Sequence, residues 1–365
     1  MDFPFLRQRK KLLLTLAGIL FFLTLLLGGR AYFEHLAKKA TPLENDDLAF
    51  EMSEMLANPA TEEFEILPLP GKVSPLTGLP ISEESEPRMI AVVIENHPAS
   101  RLQMRGLNEA GIVFEALAEG GITRFLAIFD TSERKRVGPV RSARSYFVEW
   151  AAEFGGAFVH AGGSEDALAL LAKSSLLDFD EDGEIVYRDF RHLKPHNLFV
   201  SLEAVRAAFE KRSGGKPAEN WFDFSDELPA SAQTVKQFSV DFSLPSYFVD
   251  YIYDAEKDSY HRLLGGSEHA SNGDTIRPTN VAIQFTEYWP IDDEGRLDLR
   301  TSGEDVAWYF SGGKMWKGVW KKVGNRTRFF DNSGQAVKLQ PGQTFIEILD
   351  STKRVKILEQ ETEVE

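Results

Sequence analysis

The sequence predicts an α/β domain, built as a mixed sheet with flanking helices, followed by an all-β domain, behind a single N-terminal transmembrane helix. Three observations predict it. An apolar run occupies residues 12–29, β-rich runs mix with helical patterns over residues 74–232, and residues 233–350 hold only short β runs separated by turn signals. The 365 residues, 43% hydrophobic with 27 Phe, 9 Tyr and 6 Trp, suffice for two cores and exclude a chain disordered throughout.

Arg7, Arg9, Lys10 and Lys11 precede the apolar run, which as a helix would reach roughly 27 Å at about 1.5 Å per residue, close to the span of a bilayer. The cations favour a cytoplasmic tip and a body on the extracytoplasmic side of the cytoplasmic membrane, although Arg30, Lys38 and Lys39 blunt the asymmetry. A cleaved signal peptide is the alternative, with Gly29-Arg30-Ala31 as a poor cleavage triplet. Residues 1–40 thus read as tip and anchor. Residues 41–73 carry acids and prolines with no base before Lys72, the pattern of an extended tether, and residues 351–365 form a charged tail.

Within 74–232 the pattern gives strands over 89–95 and 157–160, and helices over 145–154, 165–173 and 202–211, the last two opened by Ser164 and Ser201 at N-cap positions. Beyond it, β runs fall at 235–242, 247–253, 281–285, 306–310, 314–321, 326–330 and 344–349. Trp308, Trp316 and Trp320 crowd this part; they either pack the β core or stack on sugar rings.

Net charge is −15, which argues against a nucleic-acid partner. The absence of cysteine excludes disulfides, thiolate metal sites, cysteine nucleophiles and cysteine-linked lipid anchors. His160, His192 and His196 are a conceivable zinc set, but Pro195 breaks the helix that an i, i+4 pair needs, so no metal and no cofactor are expected.

Two β-rich segments flank Gly120-Gly121, a pair suited to a two-residue hairpin turn. Such a turn pairs residues whose numbers sum to 241. Arg124 then lies diagonally between Glu115 and Glu119, either as a structural ion triad or as a polar pocket floor with one carboxylate as acid or base. A helix over 108–119 is the alternative, placing both glutamates on one exposed face. Other polar residues gather at predicted strand ends: Glu95, Asn96 and His97, then His160 and Ser164, where a Gly-Gly-Ser turn offers amides to an anion or simply caps a helix. Arg141 and Arg144 follow in a loop shaped by Gly138-Pro139, and His196-Asn197 after Pro195.

These strings resemble a known family. Ser74-Pro75-Leu76-Thr77-Gly78, the run from Val93 to Arg101, the run from Glu115 to Arg124, Gly138 to Arg144, His160-Ala161-Gly162-Gly163, Pro195-His196-Asn197-Leu198, Ile291 to Arg296 and Pro341 to Thr344 are similar to the bacterial YerB-like lipoproteins. The resemblance implies a two-domain extracytoplasmic protein of uncharacterised function. Lipoproteins carry a cysteine after the signal. This chain has none, so a transmembrane anchor would replace lipidation.

The resulting expectation is a single-span membrane protein that binds a polar or anionic cell-wall or small-molecule ligand. Glu95, Asn96, Arg101, Arg124, Arg141, Arg144, His160, Ser164, His196 and Asn197 are its candidate binding residues. The rivals are a hydrolase of an envelope glycan or ester, with Glu115 or Glu119 as acid/base, and a purely structural envelope protein. One open cleft would favour the first two; sealed or scattered residues would favour the third.

Overall fold

The computed structural model describes residues 71–181, 183–212, 220–293 and 295–358. The predicted anchor and the predicted tether up to residue 70 lie outside these residues, while Val73, assigned to the tether, forms a β-bridge with Pro80. Among the described residues no helix is long and apolar enough to cross a membrane.

The first segment contributes β1 (Ile90–Glu95), β2 (Ile112–Leu117), β3 (Thr123–Phe129), β4 (Ala157–Val159) and β5 (Leu177–Phe179), with helices α1 (Ser145–Phe154), α2 (Glu165–Leu171) and α3 (Leu202–Arg212). The second contributes β6 (Gln237–Asp241), β7 (Phe248–Asp254), β8 (Ser259–Leu264), β9 (Asn280–Phe285), β10 (Glu304–Ser311), β11 (Lys314–Val323), β12 (Arg326–Asp331), β13 (Thr344–Leu349) and β14 (Val355–Ile357). Residues 108–119 are not a helix: only the three residues Leu107–Glu109 form a 3-10 turn before β2 begins.

Among the described residues, an 11-stranded mixed sheet has the path β12-β11-β10-β9-β13-β2-β3-β1-β4-β5, with Gln233–Thr234 pairing β11 beside it. The path crosses from one segment to the other at β13 and β2, which run parallel with Val113 beside Phe345 and Glu115 beside Glu347. A second, antiparallel sheet, Ser267–Glu268-β8-β7-β6-β14, packs on β9 and β10, where Phe238 stacks on Phe310 with centroids 3.7 Å apart.

Strand alternation explains the core. Ala91, Val93, Phe114 and Leu126 face α1, whereas Ile90, Val92, Val113 and Phe125 face the opposite side with Val205 and Phe209 of α3. Every residue of β1, β2 and β3 is buried, as expected of strands covered on both faces. Helix α1 presents Tyr146, Phe147 and Trp150 inward and stops at Gly155, whose φ of 69° suits a residue without Cβ. Trp316 and Trp320 are core residues, while Trp308 is half-buried under the Lys317 ammonium, 5.1 Å from its ring.

Candidate functional site

The hairpin between β2 and β3 decides which charged side chains meet. Gly120 and Gly121 take positive φ angles of 60° and 76°, the backbone that favours glycine. The Ile122 amide donates to the Glu119 carbonyl (3.0 Å), and the Ala118 amide donates to the Ile122 carbonyl (2.8 Å). Ala118 and Glu119 therefore both oppose Ile122. This one-residue bulge shifts the expected register, so Leu117 faces Thr123, Ala116 faces Arg124 and Glu115 faces Phe125. Because side chains alternate with period two, Glu115 and Arg124 project from opposite faces of the sheet. The expected Glu115–Arg124–Glu119 triad does not form.

On the α1 face, Arg124 donates through Nη2 to Glu119 Oε1 and through Nη1 to the Ser142 carbonyl (3.1 Å). The second oxygen of Glu119 accepts from Arg144 Nη2 (2.6 Å). Glu95 is the cross-strand partner of Arg124. Its Oε1 accepts from Arg141 Nε and Nη2 (2.9 and 2.8 Å), and His196 Nδ1 lies 2.9 Å from each of its oxygens. His97 stacks on His196 with centroids 5.2 Å apart. The loop carrying Arg141 is fastened to β1: the Glu95 amide donates to the Pro139 carbonyl and the Arg141 amide to that of Val93, both at 2.9 Å.

Three guanidinium groups thus surround two carboxylates. Burial, and then the like charge of Arg144, push the Arg124 guanidinium down to about 10, with Glu119 opposing and Arg141 adding to the depression. Arg124 and Arg144 are buried, whereas Glu119, Arg141 and His196 keep 29%, 25% and 20% of their side-chain surface and form the open edge. Arg144 Nε is buried without a hydrogen-bond partner among the described residues. Such a group of planar donors suits an oxyanion.

Several expected site residues serve other ends. Glu115 is sealed: Oε1 accepts from Asn96 Nδ2 (3.0 Å) and Thr123 Oγ1 (2.6 Å), and Oε2 accepts from Arg262 Nη2. It cannot act as acid or base on a substrate that cannot reach it, and the buried Asn96 is held with it. Ser164 caps α2 by accepting from the Ala167 amide (3.4 Å). His160 spends both ring nitrogens, on the Gly162 carbonyl and on Asp178 Oδ1, each at 2.8 Å. Asn197 is buried and braces its own loop through the His192 carbonyl (3.1 Å) and Arg188 Nη1 (2.9 Å). Arg101 donates to the Ser246 carbonyl (2.6 Å) and to Asn96 Oδ1 (3.3 Å), reaching toward the second segment. The histidines considered for zinc part company: His160 goes to Asp178, His196 to Glu95, and His192 lies 3.9 Å from Asp189.

Sequence reasoning missed the partner of Glu115. Arg262 is wholly buried on β8, where it also meets Tyr251 through Nε (2.9 Å), His269 Nδ1 and, at 3.6 Å, Glu347. Burial, and then Glu115, push the Glu347 carboxyl up to about 8 against the pull of Arg262. A signal existed: Tyr260, Arg262 and Leu264 alternate as the inward residues of β8, so the arginine occupies a core position.

Residues 76–216 match the N-terminal domain, and residues 238–346 the C-terminal domain, of the protein family of unknown function DUF3048. The chain is 34% identical over 286 residues to the "Putative lipoprotein YerB" of Bacillus subtilis (strain 168), covering 76% of this chain and 86% of that one. The chain belongs to the DUF3048 family. The crystal structure of the YerB protein from Bacillus subtilis is similar to it with a TM-score of 0.71 and 32% identity, over 79% of this chain and all of that one. The arginine cluster lies within the N-terminal DUF3048 segment, whereas Arg262, His269 and Glu347 belong to no stretch of that segment.

Proposed function

We propose that this DUF3048 protein is a membrane-tethered, extracytoplasmic envelope protein that binds an anionic ligand at Arg124, Arg141 and Arg144. The convergence of three guanidinium groups on two carboxylates carries the reading, because it leaves cationic donor capacity at an edge reached by water. A sulfate, phosphate or carboxylate would engage Arg141 first, since it is the most exposed of the three. Both oxygens of Glu119 are engaged by arginines, Oε1 by Arg124 and Oε2 by Arg144, which holds the carboxylate as part of the cationic cluster. The cations ahead of the apolar run, and the relative's description as a lipoprotein, support a body held at the outer side of the cytoplasmic membrane.

Co-sedimentation of the protein with purified cell walls, before and after removal of their anionic polymers, tests the ligand. Binding should fall with salt and weaken by about tenfold in Arg141→Ala. Equal binding by Arg141→Ala, or to stripped walls, would discard the assignment.

A further inference from the structure

A cavity of about 340 Å³ opens between residues 98–105 and residues 264–273, and none of its lining residues belongs to the arginine cluster. Leu102, Met104 and Leu264 supply apolar wall, Arg101 and Arg105 supply charge, and His269 lines it from the sheet side. Its walls are fastened to each other. The Gly106 amide donates to Asn272 Oδ1 (3.1 Å), the Leu107 amide to Ser271 Oγ (3.0 Å), and the Asn272 amide to the Met104 carbonyl (3.0 Å).

The protonation of His269 follows from its neighbour. Arg262 Nη1 faces His269 Nδ1, and a guanidinium has donors only, so Nδ1 must accept. The proton then sits on Nε2. That atom is buried with no hydrogen-bond partner among the described residues, in a residue 2% exposed. The ring also stacks on Phe125 with centroids 5.6 Å apart, which fixes its plane. Burial, and then Arg262 and Arg101, hold the imidazole well below its usual value, consistent with the neutral tautomer. A buried N–H left without an acceptor is costly, so an acceptor brought to it would be held firmly.

Two cations and one carboxylate line the cavity. Arg105 spends Nη1 on the Leu102 and Met104 carbonyls (3.1 and 2.7 Å) and Arg101 spends Nη2 on Ser246 and Nε on Asn96, so each guanidinium retains further donors. The carboxylate of Glu268, also at the cavity, is paired with His261 at 3.0 Å. We infer that this cavity binds a small organic anion, a carboxylate or phosphate on a short apolar body. One anionic oxygen accepts from His269 Nε2–H, the charge faces Arg101 and Arg105, and the apolar body lies along Leu102, Met104 and Leu264. This assignment is independent of the arginine cluster described above.

Histidine-selective 15N labelling of the full chain, followed by long-range 1H–15N spectra during titration, tests it. The free protein should show His269 as the neutral Nε2–H tautomer. Hexanoate or hexyl phosphate should shift that resonance saturably, and whichever binds identifies the head group; acetate and inorganic phosphate should bind about tenfold more weakly for want of an apolar body. Arg105→Gln should weaken binding by about tenfold, and Leu102→Ser, a change at an exposed side chain, should erase the preference for hexanoate over acetate. A protonated ring or an Nδ1–H tautomer would overturn the proposal. So would the lack of a saturable shift with both alkyl probes, or undiminished binding by Arg105→Gln.

Discussion

Arg124 is where a single residue's neighbours depend on one inserted backbone position. Its carboxylate partner is Glu119, while Glu115 stands on the other face of the sheet. Arg124→Ala should therefore destabilise by up to about 3 kcal/mol, the lower range for a broken buried pair, because Arg144 still holds Glu119. In urea unfolding, Glu119→Gln should couple with Arg124→Ala, whereas Glu115→Gln should add to it independently; coupling to Glu115 would contradict the bulged register. The residue types of this site were legible in the sequence, since Glu119, Arg124, Arg141, Arg144, Glu95 and His196 do converge. Their partners were not. Gly120-Gly121 announces a turn but does not say that Ala118 and Glu119 will share one opposite residue, and that shift exchanges the two faces. Arg262 was hidden for another reason: it meets Glu115 across 147 positions of sequence, and such pairing is set by sheet order.

Two buried titrating residues give stability opposite dependences on pH. The Glu347 carboxyl, up at about 8 when folded, sits above an unfolded value of about 4.3. Its contribution is fully present below the unfolded value and is lost as pH rises through about 8. The His269 imidazole is held below the ordinary value of 6.5, so its contribution is present above that value and lost as pH falls beneath it. The two limbs overlap between about 4.3 and 6.5, where they offset each other. Unfolding free energy should thus fall as pH rises from about 6.5 to 8, and Glu347→Gln should flatten that alkaline limb while leaving the acid limb in place. An unchanged alkaline limb in the variant would show that Glu347 does not titrate there.

At the scale of elements, α1 is clasped to the far strands by Glu153. Its Oε1 meets Lys322 Nζ (2.5 Å) on β11 and Thr327 Oγ1 (3.0 Å) on β12, and its Oε2 accepts from the Thr327 amide (2.6 Å). Burial raises the Glu153 carboxyl, and Lys322 opposes the rise. Glu153→Ala leaves a mostly buried ammonium and an amide unpartnered, so thermal unfolding should report a loss of about 3 kcal/mol, with Glu153→Gln recovering part of it. Loss confined to a few tenths would mean that the clasp is solvated. The ends of α1 were readable because its aromatic stripe and Gly155 bound it sharply. Strands β5 and β8 escaped notice: β5 has three residues, and β8 carries His261 and Arg262 where an apolar run would be expected.

Across the molecule, the division between the two family segments falls between residues 216 and 238, after the last α-helix among the described residues, which ends at Arg212. It does not divide the sheet. Strand β13 lies between β9 and β2, so each segment completes the other's backbone hydrogen bonding. Charge is shared in the same way, since Arg262 from one segment neutralises Glu115 from the other and both are inaccessible to water. A fragment of residues 233–358 alone would expose the long edge of β13 and leave Arg262 without one of its two carboxylate neighbours, at a cost typical of unpaired buried charge and open strand edges. We therefore expect this fragment to aggregate or to unfold without a cooperative transition, while coexpression with residues 71–232 restores a one-to-one complex and a cooperative melt. Size-exclusion chromatography and circular dichroism decide the matter: a monomeric 233–358 fragment with a sharp transition would show that the β segment holds its fold without β2, and that the shared sheet is an interface between independent domains.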